Sequence, residues 1–221
     1  MRSTLFIAVL LIAAPVLAHE GYVAAISRLT YDLSRMPDGY ALRVARADLA
    51  LRTKKKDLVR EDLAWLLARP IDRGEVAALV GGLFAVLDDR DTALAYLQLA
   101  VELDPTRSET FRQRAHMLAE TSPAESARDF GTAAMLSASP DIWYECADHC
   151  RKHPSVCDAA EWYLLGYAAT AAPALELSAV QTFIARGDLL LARPIVERAL
   201  AARPSSRLWA ELRAKIEAGA R

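Results

Sequence analysis

Apolar residues in this chain recur three and four positions apart, and nowhere do they alternate with period two over a useful length. That spacing lines up one face of an amphipathic helix, so the pattern predicts an all-α chain without strands. The clearest stretch, 74–105, reads as two helices joined by the acidic turn Asp88 to Asp91 and ended by Pro105. Ahead of it, Val23, Ile26, Leu29 and Leu33 predict a helix over 21–36, which Pro37 stops. Helices over 40–51 and 58–68 follow, flanking the basic turn Arg52 to Lys56. Beyond it the predicted pairs are 109–120 with 124–137, 142–151 with 156–170, and 175–186 with 189–202, and 208–218 closes the chain. Two helix entries carry their own chemistry: Ser139 precedes Pro140, and Ser155-x-x-Asp158 reads as a capping box.

The pairs share a register. Val80-Gly81-x-x-Phe84, then Ala93-x-x-x-Leu97-x-x-Ala100 and Pro105, is matched by Ala179-Val180-x-x-Phe183, Ala192-x-x-x-Val196-x-x-Ala199 and Pro204. It is matched again by Trp143-x-x-Cys146-Ala147-x-x-Cys150 with Ala159-x-x-x-Tyr163-x-x-Gly166. Weaker copies run through Ala47 and Ala115. Units begin near 40, 74, 108, 140 and 173, a step close to the roughly 34 residues of helix–turn–helix repeat arrays. Small residues fall where paired helices must approach to about 8–10 Å.

On these residues the chain resembles the tetratricopeptide repeat (TPR) family. The resemblance implies a right-handed α-solenoid of about five hairpins, with units at 40–73, 74–107, 108–139, 140–172 and 173–205. Capping helices are expected at 19–39 and 206–221, since the end faces of a stack have no neighbour. No Gly-, Ser- or Pro-rich linker interrupts the series, so one continuous array is expected. By resemblance, positions two, five, nine and twelve of each first helix face the concave, ligand-binding side. Those positions bring in Asp48 early, then Glu109, Arg112 and His116, then Tyr144, Asp148 and Arg151, and Gln181 beside Leu177 and Ile184. A polar centre with an apolar end suits a peptide or a partner's helix. The basic pattern with which the family clamps a terminal carboxylate is not evident.

Composition supports this picture. Ala and Leu dominate and the formal net charge is −1, which favours helices and disfavours a nucleic-acid partner. Residues 1–18, with Arg2, the apolar run Leu5 to Ala14 and Val16-Leu17-Ala18, read as a secretory signal peptide cut after Ala18. A periplasmic or secreted protein with no membrane span after cleavage is therefore expected, and disulfides are permitted there.

Chemistry concentrates at Cys146, His149, Cys150, His153 and Cys157. Thiolates and imidazoles at this density suit zinc or copper, and a periplasmic metal-handling protein is the alternative reading. A mature N-terminal His19 offers a smaller copper-chelating idea. The register places Cys146 and Cys150 at apolar core positions, where cysteine behaves as a small hydrophobe. Cys150 and Cys157 flank the Pro154 turn, which also suits a disulfide that leaves Cys146 unpaired. Core thiols, a disulfide and a metal set stand as alternatives at this point. No nucleophile–base pair or phosphate loop is found. The reading is a non-catalytic exported scaffold, without cofactor, for a protein or peptide partner.

Overall fold

The computed structural model describes residues 21–219. The predicted signal peptide and His19 lie outside them. By internal packing the chain divides into two compact units, one ending at Pro105 and the other beginning at Thr106.

In the first unit, α1 (21–35) precedes two hairpins, α2 (Tyr40–Thr53) with α3 (Lys56–Leu67) and α4 (Gly74–Val86) with α5 (Arg90–Leu103). The turns are local chemistry. Lys54 ends α2 in the left-handed region, and Asp89 caps α5 by accepting from the Thr92 N–H. Ala47, Ala50, Val59, Leu63, Leu66, Val80 and Leu83 form the core. Where α4 meets α5, a Cβ on Gly81 would stand 2.9 Å from Leu97 Cγ and 3.0 Å from the Ala93 carbonyl oxygen, so this close approach favours glycine.

In the second unit, α6 (Ser108–Leu118) pairs with α7 (Pro123–Met135) and α8 (Pro140–Lys152) with α9 (Ala159–Thr170). Next, α10 (Pro173–Arg186) pairs with α11 (Leu189–Ala202), and α12 (Arg207–Gly219) packs on α11. Trp209, Leu212 and Ile216 bury the inner face of α12 against Val196 and Ala199. Ser139 caps α8 with Pro140 in its first turn, as the sequence predicts. The start of α9 differs from expectation. Asp158, not Ser155, is the cap, accepting from the Ala160 N–H, so 156–158 belong to the turn.

One feature recurs that apolar patterning does not show. Arg46 and Asp62, at equivalent places in α2 and α3, form a buried pair through bonds of 2.6–3.2 Å, at 2% and 0% exposure. Burial alone would push the Arg46 guanidinium down. Its bonds to Asp62 and Glu61 outweigh that, and the net direction is up. At the same places in α6 and α7, Arg114 and Asp129 pair at 2.7 Å. Each pair locks its hairpin in register, because a slip would strand a buried charge.

Candidate binding cleft

Within the second unit, α8, its turn into α9, and α10 enclose a cleft of about 570 Å³, in the size range of ligand pockets. On α8, Trp143, Cys146, Ala147 and Cys150 are buried. The adjacent face presents Tyr144, Asp148 and Arg151, spaced i, i+4, i+7. On α10, Leu175, Ala179, Val180 and Phe183 are buried, and Ser178, Gln181, Thr182 and Ala185 line the cleft on a neighbouring face. Cys150, Arg151, Pro154, Cys157, Asp158, Ala159, Tyr163 and Arg186 complete the wall.

Its charges are partnered and placed at the rim. Arg151 bonds Asp148, which also holds Lys152 at 2.9 Å. Arg186 bridges Asp158 on the α9 side and Asp188 on its own, both at 2.8 Å. Burial would raise the Asp158 carboxyl, yet the Arg186 bond and the Ala160 N–H hold it below its ordinary value. Tyr163 stands at the back with its ring 5.6 Å from that of Tyr144. Burial and the nearby Asp148 charge push its hydroxyl up, so it is a neutral hydrogen-bonding group. The cleft thus offers an aromatic floor, amide and hydroxyl groups along one helix, and paired charges at its edge. Such a lining is suited to shape and hydrogen bonding rather than to net charge.

Of the predicted groove residues, Arg151 and Gln181 line this cleft; Asp148 pairs with the lining Arg151, and the Tyr144 ring contacts the lining Tyr163. Glu109, Arg112 and His116 are drawn into a network around Glu145. Arg112 bonds Glu145 at 2.6 and 2.7 Å and Glu109 at 3.1 Å, and His116 Nε2 lies 3.2 Å from Glu145. The hydrogen bond to Glu145 raises Arg112, so that guanidinium is committed within the protein. Asp48 pairs with Arg52 on α2 in the first unit and takes no part in the cleft. Tyr163, Ser178, Thr182 and Arg186 also line the cleft and are not among the predicted groove residues. The α10 residues could have been found from their i, i+3, i+4 spacing. Tyr163 could not, since it occupies a core place in the repeat pattern.

The five residues considered as metal ligands are divided. Cys150 and Cys157 form a disulfide with Cα atoms 5.0 Å apart. Cys146 is a free, buried thiol packed with Ala115 and Phe130, and desolvation pushes it up to about 12. His149 Nε2 donates to the Pro123 carbonyl at 2.9 Å, and the His153 ring packs tilted against that of His149, centroids 4.6 Å apart. Among the described residues no group of three or more His, Cys, Asp or Glu is arranged to hold a metal ion. The metal reading of this cluster is corrected accordingly: its sulfurs are spent on a cross-link and on core packing.

No family model matches the chain, and no curated protein matches it. Solved structures do. PilW, a type IV pilus biogenesis factor, aligns at 17% identity over 91% of this chain and 94% of its own, with a TM-score of 0.62. PilF of Pseudomonas aeruginosa aligns at 20% identity over 94% and 96%, with a TM-score of 0.60. YrrB, described as a TPR protein with an unusual peptide-binding site, aligns at 18% identity over 76% and 87%, with a TM-score of 0.52. The likeness is one of fold: the chain is built as an α-solenoid of TPR-type helical hairpins. Among the described residues no helix is long and apolar enough to cross a membrane.

Proposed function

We propose that this TPR-type solenoid is a non-catalytic interaction scaffold, and that its α8–α10 cleft holds a peptide segment of a partner protein on the concave face. The observation that carries the reading is the cleft itself. It has ligand-pocket volume, an aromatic back wall and a row of side-chain donors and acceptors on α10, with no charge left over to demand an ionic ligand. Amide and hydroxyl groups spaced along a helix suit the backbone of an extended peptide, whose own polar groups need partners once it leaves water. A described peptide site in the YrrB fold is consistent with this use. The reading includes an exported location, which the N-terminal apolar run and the presence of a disulfide support.

Selection of phage-displayed dodecapeptides on the purified oxidised protein tests the reading. Enriched peptides should lose about tenfold or more in affinity to the Gln181→Ala/Thr182→Ala variant, the loss expected when paired polar groups are left without partners. Peptides that bind this variant as well as the parent would place recognition elsewhere.

A further inference from the structure

The turn between α8 and α9 is closed by a covalent bond that is also part of the cleft wall. Cys150 is in the last turn of α8, 1% exposed, and packed among Trp143, Ala147 and Tyr163. Cys157 is outside any helix, half-buried, one residue before the cap of α9. Pro154, Cys157 and Asp158 all line the cleft, so the same short segment bears the bond and one wall.

We propose that the Cys150–Cys157 disulfide is a redox gate on this cleft. Oxidised, it holds the 153–158 turn in place as a wall; reduced by a dithiol, the turn withdraws and the cleft releases its occupant. This rests on reading the cleft as the binding site.

The chemistry is thiol–disulfide exchange. One thiolate of the dithiol attacks Cys157 Sγ, the more accessible sulfur; the S–S bond breaks, and Cys150 leaves as a thiolate that takes up a proton. The second thiolate attacks the reductant's own sulfur in the mixed disulfide. Cys157 then leaves and is protonated, and the dithiol ends as a cyclic disulfide, having given up two electrons.

The turn moves because unbonded sulfurs need about 3.5–4 Å, far more than a covalent bond spans. Cys150 is fixed by helix and core, so the displacement falls on Cys157. The turn is anchored at its two ends, by the His153 N–H on the His149 carbonyl and by Asp158, which caps α9 and bridges to Arg186. Between those anchors, residues 154–157 make one backbone bond, from the Val156 N–H to the His153 carbonyl. The Arg186–Asp158 bridge is exposed, and exposed pairs contribute under about 1 kcal/mol. Cys146 does not replace either partner, because it is fully buried against Ala115 and Phe130. The coupling is reciprocal: an occupant that favours the oxidised cleft makes the disulfide harder to reduce by the same factor.

The test uses the full mature chain with and without dithiothreitol, followed by hydrogen exchange and thiol counting under native conditions, and the Cys150→Ser/Cys157→Ser variant. The expected result is reduction without loss of the cooperative melt, and amide exchange faster by about tenfold at 153–163 with α11 and α12 unchanged. The variant should match the reduced protein, and native alkylation should reach Cys150 and Cys157 but not Cys146. Unchanged exchange at 153–163, or a disulfide reduced only when the chain unfolds, overturns the gate. Peptides from the dodecapeptide selection supply the second arm, with an expected weakening of about tenfold on reduction. Peptides that need Gln181 and Thr182 yet bind both redox states equally overturn the gate and leave the binding reading intact. Peptides indifferent to those residues overturn the binding reading, and the gate with it.

Discussion

Gly81 and Gly82 are adjacent in α4 and have opposite roles. A methyl at Gly81 meets backbone, the Ala93 carbonyl oxygen, which cannot move without parting two helices; a methyl at Gly82 meets only the end of the flexible Leu51 side chain. Overpacking costs about 1–3 kcal/mol, and replacing a helical glycine by alanine returns up to about 1. Gly81→Ala should therefore lower the urea midpoint and Gly82→Ala should leave it level or raise it. Asp62 is the second residue-scale case. Asp62→Ala leaves Arg46 buried against nothing of opposite sign but the half-exposed Glu61, and should cost about 3–5 kcal/mol in urea denaturation. The glycine was legible in the sequence because a small residue at a fixed place in a repeat announces close approach. The ion pair was not, because a charged residue in a helix reads as solvated until the hairpin register sets its partner opposite.

At the scale of elements, the α7–α8 contact carries a titratable group. His149 is buried beneath Phe130, its Nε2 on the Pro123 carbonyl of α7, with His153 and Lys152 on one side and Asp148 on the other. Desolvation, aided by the positive neighbours, lowers it from an ordinary value of 6.5, so the unfolded chain takes up the proton first. Stability should be full above about pH 6.5 and fall as pH drops from there toward the lower folded value, then level off. Urea midpoints between pH 7.5 and 5 check this, and His149→Gln should flatten the slope while keeping an N–H for Pro123. The α8–α9 turn makes a separate contribution. Closing so short a loop in the unfolded chain is worth about 2–3 kcal/mol, so the Cys150→Ser/Cys157→Ser variant should unfold earlier by about that amount. Helix pairs and their order were legible from the 3.6-residue period. The start of α9 was misread by three residues because Ser155 and Asp158 both suit a cap, and the disulfide, by tying Cys157 into the turn, selects the later one.

At the scale of the molecule, repeat patterning specifies how hairpins are built while leaving their outward faces open. Most buried positions are small or apolar for reasons common to every unit, so they recur and can be read. The cleft belongs to one place only, and its residues come from two first helices, a turn, and Ala159 and Tyr163 on a second helix. No periodicity assembles such a set. Of the expected groove residues, Arg151 and Gln181 line the cleft, while Glu109, Arg112 and His116 are engaged with Glu145. The most direct measurement is photo-crosslinking in the native cells, with a photoreactive residue at position 181 in the cleft and, for comparison, at exposed position 128 on α7. A discrete protein adduct from position 181, absent from 128 and competed by a cleft-selected peptide, is the predicted result. Equal, diffuse labelling from both positions would contradict the account.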